Sequence, residues 1–305
     1  MKVFNSIEEA GGKIKNAVVT IGSFDGVHIG HKVIIDRLKK IAQKNDGESV
    51  LITFYPHPRK VISDDKVDLK LINSQQEKIY LLEKAGLDNL IIHPFSKDFS
   101  KISSYDFISE FLIAKLKAKV IVVGKNHHFG HNRQGDYSHI YDLSKKFNFQ
   151  VEEIPLKDID KEIVSSGKVR EALAHGNIKK ANSYLGYQYF FIGQLSPDSS
   201  ISNLNVNKSF DLLIDEADKI VPPQSIYAAS LLIDNKHMKA MLVVLEKPNG
   251  NRTLSIVLLE GNIEVVNQKV SLVLFEKVKS LDNTMVDILN LEVSGARCRI
   301  NKLNY

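Results

Sequence analysis

From residue 17 to residue 154, runs of strand type and runs of helical period alternate without a break, and that alternation constrains the fold more than anything else in the chain. AVVTIG (17–22) is a short apolar run. HKVIIDRLKKIAQK (31–44) follows at helical spacing, with Val33, Ile34, Leu38 and Ile41 on one face. SVLITF (49–54), NLIIH (89–93), KVIVVG (119–124) and FQVEEI (149–154) repeat the strand pattern. The spacing predicts helices over 74–86, 104–116 and 136–147, and two shorter ones near 168–175 and 177–185. Ser74 stands three residues before Glu77, a capping-box spacing, and Gly86 ends that helix. Such a chain is expected to build a parallel sheet covered on both faces. Ligands then bind at the carboxyl ends of the strands, near a topological switch point.

The pattern changes near Gly186. YQYFFIGQL, SFDLLI, SIYAASLLID, MKAMLVVLE, TLSIVLLE and QKVSLVLFEKV are short β-type runs bounded by Asp, Asn, Gly or Pro. A helix is predicted over 284–293. The expected fold is therefore α/β, with a parallel-sheet domain over 1–186. A small antiparallel barrel or sandwich with a C-terminal helix follows over 187–305. A length of 305 residues suits two domains at about 150 residues each. The single cysteine, Cys298, excludes a disulfide scaffold and a cysteine-based zinc cluster. No run reaches the ~18 apolar residues of a membrane span, and MKVFNSIEEAGGKIKN has no apolar signal core. The expectation is a cytoplasmic protein that uses no membrane.

Charge is unevenly divided. Residues 1–186 hold 29 Lys and Arg against 23 Asp and Glu, whereas residues 187–305 hold 12 against 13. Nine of the ten histidines also precede residue 187. The first part suits anionic ligands such as phosphates. Its basic residues are scattered and not clustered, which argues against a nucleic-acid surface.

The most informative string is Gly22-Ser23-Phe24-Asp25-Gly26-Val27-His28-Ile29-Gly30-His31, between the first strand and the first helix. Glycines there let the backbone approach a ligand, and a helix start offers N–H groups and a positive dipole end to phosphate. His28 and His31 are three apart and can face one ligand. A lone HxxH pair would be read as surface histidines on a turn; the whole string in this position is not. GSFDGVHIGH resembles the signature of the HxGH nucleotidyltransferases, which fold as a Rossmann-like domain and move a nucleotidyl group from an NTP to a phosphate. Val164-Ser165-Ser166-Gly167-Lys168-Val169-Arg170 is similar to that superfamily's second motif, ISSTxxR, with Gly167 in place of Thr.

Two more strings narrow the resemblance. Thr53-Phe54-Tyr55-Pro56-His57-Pro58-Arg59 ends the second strand, and Gly124-Lys125-Asn126-His127-His128-Phe129-Gly130-His131 ends the KVIVVG strand. They resemble the TFxPHP and GxNFxFG segments of the bacterial bifunctional riboflavin kinase/FMN adenylyltransferase (FAD synthetase) family, in order and with similar spacing over residues 15–195. The resemblance implies that Phe54, Pro56, His57, Pro58, Gly124, Asn126 and Phe129 line a flavin pocket. It implies that Gly22, Ser23, Phe24, Asp25, Gly30, Asn126, Ser165 and Ser166 bind ATP, and that His28, His31 and Arg170 are catalytic. The substrates are then FMN and ATP, with Mg²⁺ on the ATP phosphates and no metal held by the protein alone. Aromatic and proline faces suit a flat isoalloxazine ring. A solvated loop is the plain alternative for His127, His128 and His131, and zinc there would need helical geometry and a further ligand.

The second domain departs from that family. DLLIDEADKIVPPQSIYAA (211–229) aligns with the segment after the family's PTAN string, which puts Lys208-Ser209-Phe210-Asp211 where PTAN belongs. Residues 238–247 stand in the GVxNIGxRPT region, and Ser255 stands at the catalytic Glu of the VEVHLLD-like strand. The expectation is an FMN adenylyltransferase with a degenerate riboflavin-kinase-like barrel. The alternatives are the full bifunctional enzyme and a catalytically weak flavin-binding paralogue.

Overall fold

The computed structural model describes residues 1–62, 69–124, 130, 137–154, 158–159, 162–196, 201, 209–234, 236–261, 263 and 269–281. Among these the chain forms two compact units: Met1–Leu69 with Lys78–Ser165, and Lys70–Glu77 with Ser166–Tyr305. The helix expected over 284–293 lies outside the described residues, as do Asn126 and Phe129.

The first unit is built on a six-stranded sheet. Its strands are β1 (Lys2–Phe4), β2 (Val18–Ile21), β3 (Ser49–Tyr55), β4 (Asn89–Pro94), β5 (Val120–Gly124) and β6 (Gln150–Ile154). Every pairing is parallel, and the order is β1-β4-β3-β2-β5-β6. β2 therefore lies between β3 on one side and β5 on the other, and the direction of winding reverses there. The helices are α1 (Ile7–Ala10), α2 (Ile29–Lys44), α3 (Pro58–Ile62), α4 (Gln75–Lys84), α5 (Ser104–Asp106), which widens into a π-helical stretch over Phe107–Lys115, and α6 (Tyr137–Phe147).

Both faces of the sheet are covered, which is why its strands read as unbroken apolar runs. Val19, Ile52, Ile91 and Ile121 face one core with Ile7, Phe107 and Ile140. Val18, Leu51, Leu90 and Val122 alternate to the other core, with Leu38 and Leu82. The predicted apolar face of α2 is partly revised. Leu38 and Ile41 are buried as expected, but Ile35 and Ala42 join them, while Val33 and Ile34 pack only at the margin. The capping box of α4 is present. The Ser74 N–H donates to Glu77 at 3.0 Å, and the Glu77 N–H donates to Ser74 Oγ at 3.2 Å.

A two-residue hairpin, β7 (Asp158–Ile159) with β8 (Glu162–Ile163), precedes the second unit. That unit contains α7 (Ser166–Ala174) and α8 (Ile178–Leu185), then β9 (Phe190–Ser196), β10 (Ser209–Leu213), β11 (Ser225–Ile233), β12 (Lys236–Glu246), β13 (Arg252–Leu258) and β14 (Lys269–Ser280). These strands close an antiparallel barrel in the order β10-β13-β12-β11-β14-β9, which leaves no free edge. Residues 70–77 are stitched into the same unit. The Leu71 N–H donates to Asp218 O, the Ile220 N–H donates to Leu71 O, and Lys219 forms a buried ion pair with Glu77. Among the described residues no helix is long and apolar enough to cross a membrane.

Candidate active site

The reversal of winding brings the loop after β2 and the end of β5 side by side. The loop after β2 runs Gly22 to His28 and turns through three residues of positive φ: Phe24 at 45°, Gly26 at 88° and Val27 at 35°. For Phe24 and Val27 this costs roughly 1–2 kcal/mol each. The loop is also deeply set, with Phe24, Asp25, Val27 and His28 all buried.

Three rings stack inside this loop. Phe24 lies on His31 with ring centres 4.4 Å apart, and His31 lies on His28 at 3.7 Å and 15°. His28 is the N-cap of α2. Its Nδ1 accepts the His31 N–H at 3.4 Å, so a neutral His28 carries its proton on Nε2, where it is a donor. His31 Nδ1 is buried and has no hydrogen-bond partner, which in a native site calls for a ligand or a water. Burial holds the His31 imidazole well below the usual histidine range, and the neighbouring His28 and Lys78 push it the same way. The ring is therefore neutral at pH 7. Gly30 suits this packing: a Cβ there would sit 3.2 Å from the His28 ring, a tight contact.

The remaining expected residues lie on the following elements. Gly124 is the last residue of β5, the strand beside β2. Phe54 lies near the end of β3 among Phe95, Phe99 and His93. Pro56 is exposed after a cis Tyr55–Pro56 bond, and Pro58 begins α3. His57 is buried, and its Nδ1 accepts the Arg59 N–H at 3.3 Å. The carbonyl of Val164 passes 3.9 Å from the Cβ position of Gly30, so exposed Ser165 follows directly from a residue beside the HxGH turn. Ser166 opens α7 in the second unit. Arg170 lies one turn further along α7 and donates from Nε to Lys70 O at 3.1 Å.

Two residues of this site were not singled out from the sequence. Lys78 is buried, and its Nζ donates to Ser23 O at 3.0 Å; the Thr53 hydroxyl donates to the same oxygen at 3.2 Å. A signal for Lys78 does exist. It stands four residues before the fully buried Leu82, a charged residue on the apolar side of α4.

In the second unit, Ser255 and Asp211 are register partners on β13 and β10. Ser255 is fully buried and donates to Asp211 Oδ1 at 2.6 Å.

The sequence model of the FAD synthetase family matches residues 12–168. A bifunctional riboflavin kinase/FMN adenylyltransferase of Buchnera aphidicola subsp. Schizaphis graminum is 28% identical over 295 residues, covering 92% of this chain and 91% of the relative. The protein of that name from Haemophilus influenzae is 30% identical over 195 residues, 64% of this chain and 63% of the relative. The one from Escherichia coli K12 is 24% identical, with 92% of each chain covered. A crystal structure described as a macrolide-efflux protein from Streptococcus pneumoniae superposes with a TM-score of 0.87 at 21% identity, over 99% of both chains, and this likeness shows the fold. On the match across more than half its length, the chain belongs to the FAD synthetase family.

Proposed function

We propose that this chain is an FMN adenylyltransferase, with residues 1–186 as the adenylyl-transfer module and 187–305 as a riboflavin-kinase-like module that no longer phosphorylates riboflavin. The observation that carries the first claim is the stacked His28–His31 pair after β2, with His28 buried, in a chain whose residues 12–168 match the FAD synthetase family. The substrates are FMN and the magnesium complex of ATP. An FMN phosphate oxygen attacks the α-phosphorus of ATP. The new P–O bond forms as the bond from the α-phosphorus to the bridging oxygen breaks, giving FAD and pyrophosphate.

No proton transfer to carbon and no covalent enzyme intermediate is needed, so the protein acts by positioning and by stabilising charge. His28 donates from Nε2 to the transferring phosphate. His31 has a buried ring nitrogen without a hydrogen-bond partner. Ser165, Ser166 and the start of α7 receive phosphate oxygens, and Arg170 neutralises the leaving pyrophosphate. Asn126, Phe129, Gly124 and the Phe54–Pro58 loop hold the flavin. Among the described residues no group of three His, Cys, Asp or Glu could hold a metal ion.

The kinase claim rests on Ser255. A riboflavin hydroxyl needs a base, and a buried serine hydroxyl already donating to Asp211 is not one. The relatives that span 92% of the chain carry riboflavin kinase in their names, and this favours the bifunctional reading as the alternative. Purified protein with ATP and Mg²⁺, given either FMN or riboflavin and followed by chromatography, decides. The expected result is FAD from FMN and no FMN from riboflavin. FMN made from riboflavin would restore the bifunctional reading. No FAD at high enzyme would make the chain a flavin-binding paralogue.

A further inference from the structure

We propose that Lys78 is a positioning residue for the histidine pair: with Thr53 it holds the Ser23 carbonyl, and that carbonyl fixes Phe24 where its ring lies on His31. The inference rests on the adenylyltransferase reading for its kinetic consequence, but not for its geometry.

The Ser23 oxygen has two lone pairs and receives two buried donors, Lys78 Nζ at 3.0 Å and Thr53 Oγ1 at 3.2 Å. It belongs to the peptide that sets the φ of Phe24, which is held at 45°, a value an L-residue with a ring adopts only under constraint. If that peptide turned over, Phe24 would relax to negative φ and its ring would leave the 4.4 Å stack on His31. His31 in turn rests on His28 at 3.7 Å. A continuous path of contacts therefore runs from the ammonium of α4 to both imidazoles.

Packing alone does not account for Lys78. A buried ammonium is costly, and methionine would fill nearly the same volume without that cost. What methionine cannot supply is a charged donor to the Ser23 carbonyl and a positive charge beside His31. That charge, after burial itself and together with His28, keeps the His31 ring unprotonated. His31 thus has Phe24 on one face, His28 on the other and Lys78 as the charged group contributed by α4. The buried Asp25 carboxyl is present in every variant below.

The test compares the full-length chain with Lys78→Met, Thr53→Val and Thr53→Ser, using FMN and magnesium-ATP. Lys78→Met should lower kcat about 10- to 100-fold, the effect of losing one hydrogen bond from a charged donor, with KM for FMN changed less than about twofold. Thr53→Val should lower kcat about 2- to 10-fold, as a neutral bond would, and Thr53→Ser should recover most of that loss. The NMR titration of the His31 ring should move upward in Lys78→Met, and its ring-current shift from Phe24 should shrink. A kcat within twofold of wild type in Lys78→Met overturns the proposal. If Lys78→Met does not melt cooperatively, equal kcat for Thr53→Val and wild type overturns it instead. If the wild-type chain forms no FAD, the function reading has failed, and the NMR signals alone decide: an unchanged His31 titration and ring-current shift in a folded Lys78→Met protein sink the positioning role.

Discussion

His31 is held neutral by burial and by its neighbours, and this has a consequence for stability as well as for catalysis. In the unfolded chain the ring binds a proton below pH ~6.5, whereas in the folded chain it does not. The unfolded state therefore takes up more protons as pH falls through that value, and folding stability drops with it. His93, which burial also depresses, acts in the same direction. Thermal midpoints measured from pH 7.5 down to 5 should fall steadily, and His31→Asn should flatten part of that slope. An unchanged slope would mean that His31 titrates freely. The departure from the family pattern at Gly167 is testable too. Gly167 lies in the first turn of α7 with a helical backbone, a conformation threonine adopts, and threonine is the better helix former of the two. Gly167→Thr should therefore regain a hydrogen bond to a charged ligand, lowering KM for ATP or raising kcat by about 10- to 100-fold with FMN affinity unchanged. No gain would show that the missing hydroxyl is neutral for the proposed phosphate site of Ser165, Ser166 and Arg170.

Elements were the most legible level. The inner strands β2, β3, β4 and β5 could be read because each buries both faces, and α4 could be read because Ser74 and Glu77 bond reciprocally; the edge strand β1, with only Phe4 buried, left no such run. What could not be read was the widening of the helix after Asp106 into a π-helical stretch, since the apolar residues of FISEFLIAK fall on no single periodic face. The ring stack was also hidden. The HxGH spacing put both histidines on one side of a helix start, but nothing in the spacing said that Phe24 would turn back onto His31. That depends on Lys78 and Thr53, which come from α4 and β3. Barrel closure has a comparable dependence on one small residue. Gly193 on β9 passes so close to β10 that a Cβ would lie 2.3 Å from Leu213 O, a backbone atom that cannot swing aside. Gly193→Ala should cost at least the ~1–3 kcal/mol of an overpacked core, read as a lower urea midpoint. A midpoint equal to wild type would mean that the β9–β10 seam opens freely.

At the scale of the molecule, the second unit is completed by residues 70–77, which come well before Ser166, where the rest of it begins. Lys219 is buried under the 70–77 segment, where it pairs with Glu77, donates to Ile72 O at 2.8 Å and Phe190 O at 2.9 Å, and lies 4.2 Å from the centre of the Tyr189 ring. Glu77 in turn accepts the N–H of Ile192 on β9 at 3.0 Å. Glu77 therefore has two roles, and only the local one, the helix cap, leaves a mark at short spacing; its partner stands 142 residues away. Glu77 and Lys219 are buried together and bond to each other and to the Ile192, Ile72 and Phe190 backbone, so removing one charge strands the other. Lys219→Met should destabilise the chain by about 3–5 kcal/mol, because the Glu77 carboxylate would stay buried without its cation. The double variant Glu77→Gln with Lys219→Met removes both charges while keeping an amide acceptor for Ile192, and should recover most of that loss. Urea unfolding of the two variants separates the possibilities. If the double variant is as unstable as Lys219→Met alone, the loss comes from the lysine's own bonds to Ile72 and Phe190 and not from a stranded carboxylate.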